Sequence, residues 1–308
     1  MSYQLSLSSA IPDAIRATAH DELAAAVHRL SPDSEGTQDP VSAVHGARKN
    51  LKKSRALLRL VRSELPKQAY RSENAALRDA GRSISAVRDA DVMVASVDAL
   101  GERYFGDFPA SRLQRVRHTL ADQASSTRTS LDAALLEDTL AQLRLATERA
   151  RQWPVQEVDA ATLRRGIATA YRRGRGAFAR ADAQPTTENL HDWRKRVKDL
   201  WYQHRLLAEA WPDVLSVHGQ QAHHLSELLG DDHDLAVLAE HLADPQGRGP
   251  IADADVGPML ELIGRRRAEL LAEARELAQR MYAEKPQAFA ERMGRYLRLA
   301  GRAKLVTA

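Results

Sequence analysis

Residues 190–207 read LHDWRKRVKDLWYQHRLL. At about 100° per residue, His191, Arg194, Lys195, Lys198 and Arg205 fall within roughly 100° of helical arc. Leu190, Trp193, Val197, Leu200, His204 and Leu207 fill the adjoining arc, and Asp192 and Asp199 sit together on the far shoulder of the basic stripe. The pattern predicts an amphipathic helix with one oily face, one cationic face, and its acids set aside. A solvated helix surface ordinarily mixes both signs, because oppositely charged pairs four residues apart stabilise it. A plain surface helix of an arginine-rich protein is the alternative reading.

The stretch occurs twice. VHGARKNLKKSRALLRLVRSELP (44–66) aligns with LHDWRKRVKDLWYQHRLLAEAWP (190–212) at a shift of 146 residues, pairing His45 with His191, Arg48 with Arg194, Lys49 with Lys195, Lys52 with Lys198 and Arg59 with Arg205. At a shift of 145, ISAVRDADVMV (84–94) lies over LGDDHDLAVLA (229–239), so that Arg88 meets His233 and Asp89 meets Asp234. Self-similarity over this length marks a tandem duplication.

Leu, Ala, Arg and Glu dominate the 308 residues, aromatics make up 5%, and β-branched runs of period two are absent, so the chain reads as all-α. Breaks fall at SPDSEGTQDP (31–40), GDFP (106–109), QWPVQEV (152–158), ADAQPTTEN (181–189), WPD (211–213), ADPQGRGP (243–250) and EKP (284–286). We expect one helical half over 8–152 and a second over 153–308, each a bundle of about four helices, docked about a pseudo-two-fold axis so that equivalent surfaces face one basic groove.

No run of about 18 apolar residues is present, and MSYQLSLSSAIPDAIR has neither a charged n-region nor an apolar h-region, so the default expectation is a cytoplasmic protein with no membrane partner. The absence of cysteine excludes disulfides, thiolate metal sites and a cysteine nucleophile. With 45 Lys+Arg against 41 Asp+Glu the net charge is only +4, so any polyanion partner has to be argued from where the charges sit.

They sit in stripes. In the first copy His45, Arg48, Lys49, Lys52, Arg55 and Arg59 span roughly 120° of helix, and 45–62 contains no acid. A third basic element, LRRGIATAYRRGRGAFARA (163–181), places Arg164, Arg165, Arg172 and Arg175 on one stripe, whereas the first-half counterpart carries Asp21 and Glu22. Like charges one turn apart repel by a few tenths of a kcal/mol per pair. A bound polyanion would offset that repulsion, its phosphates held by arginine forks and lysine point charges. The candidate contacts are therefore the six residues of the first stripe, Arg88, Arg165 and Arg172, and His191, Arg194, Lys195, Lys198 and Arg205 of the second. His45 and His191 are either anion donors or structural histidines.

Two rival functions have some support. His191-Asp192 and His233-Asp234 suggest a metal-dependent phosphohydrolase of the all-helical His-Asp type, but the repeat matches His233 with Arg88, and an arginine does not ligate a metal. Nucleic acid could enter a basic groove, with Trp193, Trp201 and Tyr202 as stacking groups, although two of these lie on or beside the oily arc. No phosphate-binding glycine loop, nucleophile elbow or HExxH motif occurs, so we expect no catalytic residue, no metal and no cofactor.

Together, VHGARKNLKKSRALLRL with VRDADV, then LHDWRKRVKDLWYQHRLL with LSELLGDDHDLAVL, and YAEKPQAFAERM near the end, resemble the CHAD domain family over about residues 10–305. The resemblance implies two four-helix bundles around a basic channel that binds inorganic polyphosphate, and recruitment to polyphosphate granules. Separately, we expect a monomer or homodimer. Family members joined to a triphosphate-tunnel hydrolase carry strands that this sequence lacks. Gly46 and Asn50 are departures expected to loosen the first stripe.

Overall fold

The computed structural model describes residues 3–31, 40–84, 86–106, 109–129 and 133–305, with side chains described outside 40–41, 86–90, 127–129, 133 and 302–305. Its helices are α1 (Ile11–Leu30), α2 (Pro40–Leu60), α3 (Lys67–Ser83), α4 (Ala86–Arg103), α5 (Ala110–Thr129) and α6 (Ala133–Ala150) in the first half. The second half has α7 (Ala160–Ala183), α8 (Thr187–Leu206), a 3₁₀ turn at Ala208–Ala210, α9 (Pro212–Ala243), α10 (Asp253–Met281) and α11 (Pro286–Leu305). The breaks read at 152–158, 181–189, 211–213, 243–250 and 284–286 each separate two helical elements, while most of 31–40 and half of 106–109 lie outside the described residues.

The starts of α7 and α8 follow from local chemistry. Asp159 caps α7, its carboxylate accepting from the Thr162 amide at 2.7 Å, and Thr186 caps α8 by accepting from the Asn189 amide at 3.2 Å. α7 bears four arginines of the site described below and α8 bears Arg196 and Asp199 beside it, so the caps fix where those side chains begin to turn.

In the first half α1, α2, α3 and α6 close a four-helix ring; in the second α8 packs between α7 and α9, and α11 lies against α7. The remaining helices form two hairpins, α4–α5 and α9–α10, which pack on each other through α4. The halves therefore exceed the expected four helices each. In the first half the chain breaks after Ser83, where Ile84 leaves helical geometry with ψ at 20°, whereas α9 runs on without interruption.

The halves meet through α2 on α8, α2 on α7 and α4 on α9, and their buried side chains form one contiguous core. The α2–α7 contact is close: a Cβ at Gly166 would fall on the Leu60 carbonyl. An amino-terminal strap crosses between the halves, with the Leu5 amide donating to the Leu206 carbonyl at 2.9 Å and Tyr3 Oη donating to the Lys53 carbonyl at 2.7 Å.

Gly46 and Asn50 do not loosen α2, which runs unbroken. Asn50 Nδ2 donates to Glu22 at 2.6 Å, and a Cβ at Gly46 would lie 2.7 Å from Arg29 Cδ, so both residues serve close packing on α1. Trp193, Trp201 and Tyr202 are buried in the core, where they present no face to a stacked base. No helix among the described residues is long and apolar enough to cross a membrane.

Candidate functional site

The end of α2, the start of α3 and the exposed side of α7 enclose a cleft of about 710 Å³. Eight cationic side chains line it: Arg59 and Arg62 from α2 and the turn after it, Lys67 and Arg71 from α3, and Arg164, Arg165, Arg172 and Arg173 from α7. Arg59 bonds Asp199 at 2.6 Å and Arg165 bonds Glu64 at 2.5 Å. Among the described residues, none of the other six forms an ion pair. Elsewhere arginines mostly have acids, as Arg117 with Asp98, Arg149 with Glu73 and Arg275 with Asp182.

Burial first, and like charge second, act on one member of the cleft, Arg173, and on the adjoining Arg55. Burial, and then the neighbouring Arg59, push the Arg55 guanidinium down to about 10. Burial, Arg196 and Arg62 likewise lower that of Arg173. Arg55 is held in place by its Nε bond to Asn74 Oδ1 at 3.1 Å, and Arg62 stacks over the Tyr70 ring with its guanidinium carbon 4.7 Å from the centroid. A linear polyanion entering the cleft would meet forks already ordered by their surroundings, with little carboxylate competition.

The structure divides the sequence-derived stripes among several places. Arg59, Arg165 and Arg172 meet in this cleft, with Arg55 adjoining. Lys49 and Arg205 line a separate depression of about 570 Å³ beside Trp201, His223 and Glu227. There Arg205 lies over the rings of Tyr3 and Trp201 at 5.5 and 5.8 Å. Arg48 turns onto α3, Nη1 donating to the Gly81 carbonyl at 2.7 Å. Arg194 lies against α9, where a Cβ at Gly230 would be 3.1 Å from its Nη2. Lys52 and Lys198 are half-buried at equivalent positions, while His45 and Lys195 are exposed on α2 and α8. The side chain of Arg88, within α4, lies outside the described residues.

His191 stacks on His233 with ring centroids 4.5 Å apart, and His233 Nδ1 is 3.2 Å from its neighbour Asp234. Burial, followed by Lys195, His233 and Arg194, pushes the His191 imidazole down to about 4. Among the described residues no three or more His, Asp or Glu side chains gather as a metal set.

Lys67, Arg71 and Arg173 were not singled out from the sequence. Lys67 and Arg71 lie beyond the acid-free run, and the turn at 61–66 swings them back over the end of α2. Arg173 sits beside Arg172 in a run already read as basic, and only the burial pattern of α7 could have brought it in.

The sequence matches the CHAD domain family over residues 16–243, most of the chain. The chain belongs to the CHAD domain family. Its fold is similar to that of the crystal structure of the CHAD domain from the plant Ricinus communis, with a TM-score of 0.63 at 18% identity, covering 92% of this chain and 94% of that one. No curated protein matches. The CHAD match ends at the close of α9, and the structural likeness, at 92% of the chain, extends into the residues beyond it.

Proposed function

We propose that this CHAD protein binds inorganic polyphosphate in the cleft between α2, α3 and α7, acts as a binding protein and not as a catalyst, and attaches to polyphosphate granules in the cytoplasm. The observation that carries the reading is the convergence of Arg62, Lys67, Arg71, Arg164, Arg172 and Arg173, all without ion-pair partners among the described residues, in one cleft between the halves. A flexible chain with one negative charge or more per phosphate satisfies such a row by many charge-assisted contacts. Membership of the family and the basic groove support the reading together.

The test is a titration with long polyphosphate, pyrophosphate and duplex DNA at equal phosphate concentration, repeated across a salt series. Long polyphosphate should bind most tightly, and engagement of six cations should give a slope of log affinity on log salt of about −4 to −5 by analogy with nucleic acids. Duplex DNA, a stiff rod, should bind far more weakly. DNA equal to polyphosphate in affinity and slope would replace this reading with nucleic-acid binding. Orthophosphate released on prolonged incubation with polyphosphate would replace it with hydrolysis.

A further inference from the structure

Arg59 and Arg173 line the cleft and also a small cavity of about 10 Å³ beneath it, together with Arg196, Asp199 and Gln203. Asp199 Oδ1 accepts from Arg59 Nη1 at 2.6 Å, and Oδ2 lies 3.9 Å from Arg196 Nη1. The Asp199 side chain is 12% exposed and that of Arg59 21%, so the pair forms the floor of the cleft and not its rim. The position is particular to the second half, for the repeat places Lys53 where Asp199 stands.

We propose that Asp199 is a specificity-determining counter-ion of the cleft: it holds Arg59 in the floor and bars a single phosphate from that guanidinium, while a chain of linked phosphates gripped by the rim gains enough contacts to reach it. The inference rests on the polyphosphate reading. An anion that takes Arg59 from Asp199 leaves a buried carboxylate without its hydrogen-bonded cation, Arg196 at 3.9 Å being the nearest remaining ion-pair contact and Arg55 and Arg173 acting only at longer range, an unfavourable arrangement. One phosphate has one or two charge-assisted bonds with which to offset that loss. A longer chain adds contacts with Arg62, Arg164 and Arg172, which need no carboxylate displaced.

The experiment titrates the full chain and two variants, Asp199→Asn and Glu64→Gln, with orthophosphate, tripolyphosphate and long polyphosphate by calorimetry. Glu64→Gln removes the carboxylate that bonds the cleft-lining Arg165, and so controls for the simple loss of a negative charge. Asp199→Asn should raise orthophosphate affinity by about tenfold or more, the equivalent of about 1.4 kcal/mol; Glu64→Gln should raise it less than about threefold. Equal gains in the two variants, or no gain in Asp199→Asn, overturn the proposal. If circular dichroism shows Asp199→Asn unfolded, the wild type decides: its Arg59 guanidinium resonance, assigned with Arg59→Lys, should shift with long polyphosphate and stay in place with orthophosphate at equal phosphate. A shift with orthophosphate overturns the proposal. Failure of the wild type to bind long polyphosphate removes the underlying reading and the inference with it, an outcome distinct from the others.

Discussion

Residues 53 and 199 occupy the same place in the two copies, yet one is lysine and the other aspartate. Lys53 turns away from α8 to Glu22 of α1 at 2.9 Å, whereas Asp199 reaches across to Arg59 at 2.6 Å. Arg205, the counterpart of Arg59, has no such carboxylate and lies instead over Tyr3 and Trp201. The helices that flank the two sites differ in the same sense: α7 brings Arg164, Arg165, Arg172 and Arg173 to its cleft, while α1 brings Asp13, Asp21 and Glu22 to its own surface depression. A duplication conserved the scaffold and let the charge diverge, so one strongly cationic cleft arises where symmetry would have given two.

The largest expected effect breaks that inequality directly. Arg62→Glu with Arg172→Glu removes two unpaired cations, each worth about 1.5 to 3 kcal/mol of charge-assisted bonding, so polyphosphate affinity should fall about 100-fold or more in calorimetry. Lys49→Glu with Arg205→Glu, in the other depression, should change it less than about threefold. Equal losses would mean that both sides bind and that the divergence of charge carries no function.

Gly166 tests how firmly the halves are joined. Gly166→Ala places a methyl on the Leu60 carbonyl, and denaturant unfolding should show a loss of about 2 to 3 kcal/mol. Gly176→Ala meets only Arg180 Nη1 at 3.8 Å and should be neutral or stabilising by up to about 1 kcal/mol. A harmless Gly166→Ala would show that α7 can slide on α2 and that the cleft width is adjustable.

A smaller effect separates scaffold from site in the first half. Glu22→Gln leaves the half-buried Lys53 ammonium without its carboxylate and should cost about 2 kcal/mol of stability, while polyphosphate affinity stays within about twofold. A large change in affinity would extend the binding surface to α1.

The smallest effect at neutral pH concerns His204, for which the repeat has Leu58. Burial, and secondly His218, push its imidazole down to about 3. The unfolded chain takes up this proton near the ordinary histidine value of about 6.5 and the folded chain does not, so stability is lost as pH falls from there toward about 3. His204→Leu should therefore melt near the wild-type temperature at pH 7 and increasingly above it on acidification. Parallel melting curves across that range would mean that the buried ring takes up its proton without cost.

Much of the fold was legible because the repeat and the Pro, Gly and Asp breaks are local signals. The end of α3 at Ser83 was not, since no Pro, Gly or Asp marks it at 83–85 and the following Ile84 would fit a continuing helix. Of the site, periodicity exposed the cationic stripes but not their division. Asp192 and Asp199 share a shoulder of α8 in projection, yet Asp192 serves Arg180 and Arg196, while Asp199 finds Arg59 across 140 residues of sequence. Helical projection shows which way a side chain leaves its axis, and docking decides what it meets.

The strap described above also ties the folding of this chain to time. Leu5 bonds Leu206, so an early stretch of the chain has to wait for a partner made some 200 residues later. At a synthesis rate of about 5 to 20 residues per second that interval is roughly 10 to 40 seconds. Through it the backbone of Leu5 stays unpaired with its native neighbour, and Tyr3 and Leu5, buried at 2% and 1% exposure in the finished protein, remain uncovered on a nascent first half. The amino-terminal strap is sealed only when α8 has emerged, which makes the last turn of α8 its latch.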